Sequence, residues 1–204
     1  MTKNDMQGDH PSEAKADATG LTPADLATVF AEVRTARLAL RRPHPGDSPA
    51  MFAVHGDPLT NQHNPAGPDP NPETSEGTLR DWLRRWEIDG YGYWAVARVG
   101  TEGIIGFGGV ERQTLRDRDV LNLYYRLTSG VWRQGYATEL TQTAVGLAQA
   151  YLPHLPVIAR TRPHNIASQR TAERAGLRRR PDLDTEQIVF ALGWTPISEP
   201  AERA

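Results

Sequence analysis

The sequence predicts an α+β fold: one mixed, mostly antiparallel sheet with helices on both faces. Two observations carry this. Strand-like segments precede helical ones in the first half of the chain and alternate with them in the second, the order a parallel βαβ step requires. The stretch TSGVWRQGYATEL, residues 128 to 140, turns a strand into a helix through a glycine-bearing junction.

Taken in order, residues 1–20 are polar with no hydrophobic period and are predicted to be a disordered tail, followed by a single domain over 21–198 and a short tail at 199–204. TPADLATVFAEV reads as a helix with Thr22 as N-cap and Pro23 at its first position. RLALRR is a strand, and HPGDSPAMFAVHGD a helix. PLTNQHNPAGPDPNP holds six prolines and glycines in fifteen residues and is predicted to be a long loop. From Glu73, Leu79, Trp82, Leu83 and Trp86 recur at helical spacing and form a core-facing stripe.

YGYWAVARV and IIGFGGVERQ read as a hairpin, with Gly100 and Gly103 as turn residues that tolerate positive φ. DVLNLYYRL follows as an antiparallel strand if TLRDRD is its turn. A helix is predicted from Thr138, with Leu140, Ala144, Leu147, Ala148 and Tyr151 on one face. PVIART is the next strand, residues 165–175 a short helix closed by Gly176, and EQIVFAL the last strand.

Composition excludes several classes of function. No run approaches the roughly 18 apolar residues of a membrane span, so no membrane partner is expected. A formal net charge of −2 leaves no basic footprint for nucleic acid. The absence of cysteine rules out disulfides and a thiol nucleophile. The first twenty residues lack the apolar core of a secretory signal, so a cytoplasmic location is expected. The six histidines show no zinc-type spacing, and no metal is expected.

The junction itself has a chemistry. A helix start leaves backbone N–H groups unpaired at the positive end of the helix dipole. Gly135 and the small Ala137 leave room there for a phosphate, and Arg133 adds a charge. The Thr138 hydroxyl either reaches a phosphate or caps the helix. By itself the motif reads as an anion site or as an ordinary tight turn.

Its companions narrow the choice. WRQGYATEL together with RPHNIASQRTAERAGL resembles the GNAT superfamily of acyl-CoA-dependent N-acetyltransferases, in particular its RimJ/RimL-like branch. There a W-G-x-G-Y-A-T-E turn precedes, by about thirty residues, an N-x-x-S helix ending in G-F or G-L. Here Gly135 and Asn165 stand thirty residues apart, and Gly176-Leu177 ends the second motif. TARLALRRP resembles the family's opening strand and GIIGFGGV its hairpin, so the likeness runs over about residues 35–193.

The resemblance implies that acetyl-CoA is the acyl donor, held by Tyr125, Arg126, Leu127, Arg133, Gln134, Gly135, Tyr136, Ala137, Thr138, Asn165 and Ser168. The N–H groups of Arg133 to Thr138 would cradle the pyrophosphate, and Tyr125 to Leu127 would pair with the pantetheine arm as an added strand. The thioester would lie at a splay between two strands, with Asn165 on the pantetheine and Ser168 near the sulfur. The acceptor would be a primary amine, on a protein N-terminus or a small molecule, and a homodimer is an assembly common among relatives. A non-catalytic acyl-CoA-binding module on the same fold is the alternative.

This chain departs from the pattern at four positions. Arg133 stands where the family usually has glycine, Gln134 where it often has a basic residue, Asn122 where the branch often has glutamate, and Tyr124 where it has glycine. For the base that frees the amine lone pair, Glu111 is the first candidate, acting directly or through water. The other reading of Glu111 is an exposed strand carboxylate paired with Arg112 or Arg126. Ser168 is the candidate acid or sulfur contact, against a first-turn hydroxyl serving its own helix. His164, beside Asn165, is a further candidate against an ordinary loop residue, and His63 and Asn64 would either face an incoming amine or belong to an ordinary loop. Glu139 reads as structural, an acid complementing the helix dipole.

Overall fold

The structure is a computed structural model that describes residues 19–195. Apart from Thr19 and Gly20, the predicted tails at 1–20 and 199–204 lie outside the described residues.

The described chain runs α1 (Pro23–Phe30), β1 (Glu32–Arg34), β2 (Leu38–Arg41), α2 (Ser48–His55), α3 (Pro72–Asp89), β3 (Tyr93–Arg98), β4 (Ile104–Leu115), β5 (Arg118–Leu127), α4 (Tyr136–Tyr151), β6 (Val157–Thr161), α5 (Ile166–Arg174), β7 (Arg178–Arg179) and β8 (Ile188–Leu192). The strands form one mixed sheet in the order β1-β2-β3-β4-β5-β6-β8-β7. β5 and β6 are the parallel pair within it; the other neighbours are antiparallel.

Alternation along the strands sends side chains to two cores. On one face Trp94, Val96, Val110 and Leu121 pack against Leu26 and Phe30 of α1, Leu140 and Ala144 of α4, and Ala172 of α5. On the other, Tyr93, Ala95 and Phe107 pack against Met51 and Val54 of α2 and Leu79 and Trp82 of α3.

α1 starts as its sequence requires. The Thr22 hydroxyl accepts from the Asp25 N–H at 3.2 Å, while the Asp25 carboxylate accepts from the Thr22 N–H at 2.9 Å, a reciprocal capping box. It ends earlier than periodicity implies. The expected helix through Val33 gives way at Phe30 because Glu32–Arg34 pairs with β2, Val33 lying opposite Leu40. α3 is capped by the Asn71 side chain and stopped by Gly90 in the left-handed region, at φ 77°. Its tryptophans are core residues, and the Trp86 indole N–H donates to the Tyr93 carbonyl at 2.9 Å.

The expected loop between α2 and α3 is a series of turns tied from within. The buried Asn61 donates to the carbonyls of His55 at 2.8 Å and Asp57 at 2.9 Å. In the β3–β4 hairpin Gly100 has φ 79°, whereas Gly103 is not among the positive-φ residues. The β4–β5 turn is two residues, Arg116 and Asp117 at φ 50° and 58°, which matches the primed turn that right-twisted strands favour.

α4 begins at Tyr136, two residues before the expected Thr138. Gly135 is its N-cap, at φ 83° and with no side chain to bond the first turn. A helix start without a capping side chain carries no sequence signal of the usual kind.

Candidate active site

The site begins where two strands part. β5 and β6 are in register at Leu121–Val157 and Asn122–Ile158, and their pairing ends there. Beyond Asn122, β5 runs on to Leu127 bonded to β4 alone, so its other edge offers unpaired backbone groups. A cleft of about 810 Å³ opens from this splay. At its inner end a recess of about 80 Å³ touches Leu123, Tyr124, Arg160 and Ser168.

Ten of the eleven residues expected to hold the donor line this cleft: Tyr125, Arg126, Leu127, Arg133, Gly135, Tyr136, Ala137, Thr138, Asn165 and Ser168. Gln134 is the exception. Its side chain turns back to donate to the Gly130 carbonyl at 3.2 Å, and its own carbonyl accepts from Arg37 Nη1 at 2.7 Å.

Among the described residues, no backbone or side-chain acceptor takes the N–H groups of residues 133–138. Arg133 adopts φ 61° and Gly135 φ 83°, so the chain coils left-handed twice before entering the helix. Successive N–H groups in such a turn converge and suit an anion. Arg133 keeps the backbone geometry for which glycine is the easiest choice. A pyrophosphate fits this turn, and an extended amide-bearing arm fits the free edge of β5.

Asn165 is the N-cap of α5, its side chain accepting from the Ser168 N–H at 3.1 Å. Ser168 therefore sits in the first turn of α5 and faces both the cleft and its recess. His63 and Asn64 also line the cleft. The His63 ring meets that of His164 at 5.1 Å, so the α2–α3 loop touches the β6–α5 loop.

Glu111 is not among the residues lining the cleft. It is also not the exposed carboxylate of the alternative reading: it is 3% exposed, and its ion-pair partner is Arg85, at 3.5 Å. Its Oε2 is buried without a hydrogen-bond partner. Burial pushes the carboxyl up to about 7 against the opposing pull of Arg85 and of a hydrogen bond from Gln113. Gln113 in turn accepts from Arg160 Nη2 at 2.5 Å, so an amide stands between Glu111 and the cleft wall. An amide side chain bridges charges but does not relay a proton.

Sequence reasoning passed over a second polar chain. The Tyr124 hydroxyl and His55 Nε2 are 3.0 Å apart, His55 Nδ1 is 3.8 Å from Asp69, and Asp69 accepts from the Ser75 hydroxyl at 2.5 Å. Burial and the nearby Arg126 hold His55 down at about 4, so the imidazole is neutral near pH 7. Trp82, Phe107 and Tyr124 surround its ring. A histidine at the last position of an amphipathic helix is indistinguishable in sequence from a surface one. Arg160, Arg162, Arg170 and Arg174 also line the cleft. Their signal was alternation in VIARTR and the four-residue spacing in α5.

A strand splay beside an amide-lined helix start is the arrangement that the resemblance to acyl-CoA-dependent acyltransferases leads one to expect. Residues 37–178 match the acetyltransferase (GNAT) domain, and the chain belongs to that family. Its fold is similar to that of an acetyltransferase from Agrobacterium tumefaciens, with 28% identity and TM-score 0.66 over 79% of this chain and 93% of that one. RimL, a ribosomal L7/L12 alpha-N-protein acetyltransferase solved with coenzyme A, aligns at 15% identity and TM-score 0.61, covering 79% and 97%. The ribosomal-protein-S5-alanine acetyltransferase from Vibrio fischeri aligns at 15% and 0.62, covering 81% and 99%.

The chain is thus an acetyltransferase of the GNAT family, and RimL shares its fold. Among the described residues no helix is long and apolar enough to cross a membrane, and no group of three or more metal-ligating side chains comes together.

Proposed function

We propose that the protein transfers the acetyl group of acetyl-CoA to a primary amine by direct attack on the thioester. One observation carries the reading: the unbonded N–H groups of residues 133–138 open into the same cleft as the free edge of β5 beyond Asn122. In this reading the amides bind the pyrophosphate. Residues 125–127 take the pantetheine as an added strand, which leaves the thioester at the splay.

Asn165, with its carbonyl oxygen spent on capping, offers its amide N–H to the pantetheine, and the Ser168 hydroxyl meets the sulfur as the thiolate leaves. The attacking nitrogen must lose a proton to have a lone pair. Glu111 is the proposed proton acceptor: because the Gln113 amide bars a direct path, the proton would reach the unpartnered Oε2 through water, and the raised pKa suits transfer near neutral pH. A second reading of this step alone rests on the 3.0 Å contact of Tyr124 with His55, which gives the cleft wall a neutral imidazole backed by Asp69.

The test is release of free thiol from acetyl-CoA with a panel of amines, alongside Gly135→Glu, whose carboxylate would occupy the anion position. Turnover by the wild type and loss of acetyl-CoA binding by the variant are expected. Undiminished binding by Gly135→Glu would overturn the placement of the donor.

A further inference from the structure

The cleft carries charge of one sign. Arg126, Arg133, Arg160, Arg162, Arg170 and Arg174 line it and no carboxylate does, in a chain whose net charge is −2. None of these six forms an ion pair with a described carboxylate, whereas Arg37, Arg41, Arg85, Arg112, Arg179 and Arg180 each do. Uncompensated charge of one sign within a walled cleft concentrates the field on whatever enters.

The six fall into two groups. Arg133 belongs to the amide-lined turn, and Arg170 and Arg174 lie one helical turn apart on α5, which bonds α4 through Gln142 and the Arg174 carbonyl at 2.9 Å. In the proposed placement of the donor these three would flank its phosphates. Arg126 and Arg160 lie on β5 and β6 beyond the point where the two strands pair, and Arg162 directly follows β6. Arg126 is four residues beyond the last paired residue of β5, and Arg160 two residues beyond that of β6. Arg160 is fixed by neutral acceptors, Gln113 at 2.5 Å and Asn122 at 3.4 Å, which orient the guanidinium without cancelling its charge. Arg126 lies 5.8 Å from the centre of the Tyr124 ring.

An acetyl group brings no charge to this place, and a polycationic amine would be repelled from it. We infer that the acceptor carries a carboxylate close to its reacting amine, and that Arg126 and Arg160 bind it. Free amino acids and peptides with an acidic first residue share this chemistry. The inference rests on amine acetylation in this cleft.

The experiment compares kcat/KM for matched acceptors with acetyl-CoA: glutamate against glutamine amide, aspartate against asparagine amide, and Glu-first against Gln-first tripeptides. A preference of about tenfold or more for the carboxylates is expected, falling towards parity in Arg126→Gln and Arg160→Gln and recovering in part in Arg160→Lys. Preference in the free-acid pairs or in the tripeptides tells the two sources apart. Equal rates, preference for a polyamine, equal loss on both acceptors in the arginine variants, or faster transfer from succinyl-CoA to neutral amines would overturn it. The melting temperature of the CoA-loaded protein with glutarate is read separately. A rise that Arg160→Gln abolishes keeps the carboxylate site even if no amine is acetylated, and absence of both a rise and a preference removes it.

Discussion

Arg37 Nε and Glu139 Oε2 lie 2.6 Å apart although 102 residues separate them in sequence. The Glu139 carboxylate also accepts from the Thr35 hydroxyl at 2.5 Å and the Arg37 N–H at 2.9 Å, so one side chain holds the β1–β2 turn against the start of α4. Arg37 completes the tie by donating to the Gln134 carbonyl at 2.7 Å and covering the Tyr136 ring at 4.7 Å. In a planar trans peptide the carbonyl and the next N–H point opposite ways. Holding the Gln134 carbonyl on the Arg37 side therefore turns the Gly135 N–H towards the cleft. Glu139, expected to be structural, acts here as an orienting group.

Arg37→Ala and Glu139→Gln should accordingly raise KM for acetyl-CoA about five- to tenfold, with a smaller change in kcat. Loss of one or two charge-assisted hydrogen bonds amounts to about 1 kcal/mol at this half-exposed seam. Steady-state kinetics with varied acetyl-CoA checks it, and an effect confined to kcat would contradict the orienting role.

Gly90→Ala should cost far more stability than Gly135→Ala while leaving the cleft untouched. A Cβ on Gly90 would stand 2.0 Å from the Pro23 carbonyl oxygen, at φ 77°, where α1 passes the end of α3. Displacing backbone there is expected to cost about 3 kcal/mol or more. At Gly135 the added Cβ meets only Arg37 Nη2, at 3.3 Å, so the cost is chiefly the left-handed φ, roughly 1–2 kcal/mol. Chemical denaturation ranks the two, and acetyl-CoA titration should show the opposite order of damage.

The contrast marks what the sequence discloses. Element types were legible wherever a period or a cap declared them: the Thr22 cap, the Trp82–Trp86 stripe, the Gly176 stop. The cleft-lining turn before α4 was legible because backbone geometry selects for glycine and small side chains in a contiguous stretch, which a sequence records. β1 was hidden because three residues after a helix carry no period of their own, and their strand state comes from pairing with β2. The His55–Tyr124 contact and the arginines of β6 and α5 come from separate elements, and only the folded chain brings them together. Glu111 was found by residue type and position, but its burial behind Gln113 depends on α3 and β5 covering it.

Glu111 and His55 give stability opposite pH slopes. Glu111, with a folded pKa of about 7 against the ordinary 4.5, is protonated more readily when folded. Its contribution is full below about pH 4.5 and is lost as pH rises through 7, on the order of 3 kcal/mol. His55, at about 4 against 6.5, favours the neutral form when folded, so its share is present above pH 6.5 and is lost as pH falls through 4. Glu111→Gln should remove the alkaline decline and leave the acidic one. Urea unfolding at pH 4, 5.5 and 8 measures this, and an unchanged decline from 5.5 to 8 in the variant would assign it to other groups.

The same two residues separate the routes for the amine proton. If Glu111 is the acceptor, kcat/KM rises with pH through about 7 in the wild type and Glu111→Gln flattens that limb, while Tyr124→Phe changes chiefly stability. Tyr124→Phe keeps the ring among Tyr93, Trp82 and His55 but leaves His55 Nε2 buried without its partner, a cost of about 1–3 kcal/mol. If the proton instead passes through Tyr124 to His55, Tyr124→Phe and His55→Gln lower kcat by similar factors, on the order of a hundred, and Glu111→Gln keeps the wild-type pH profile. Because the double variant Tyr124→Phe/His55→Gln removes both members of one chain, its kcat should then equal that of either single variant. Additive losses would mean that the two residues serve the fold independently and that Glu111 is the acceptor.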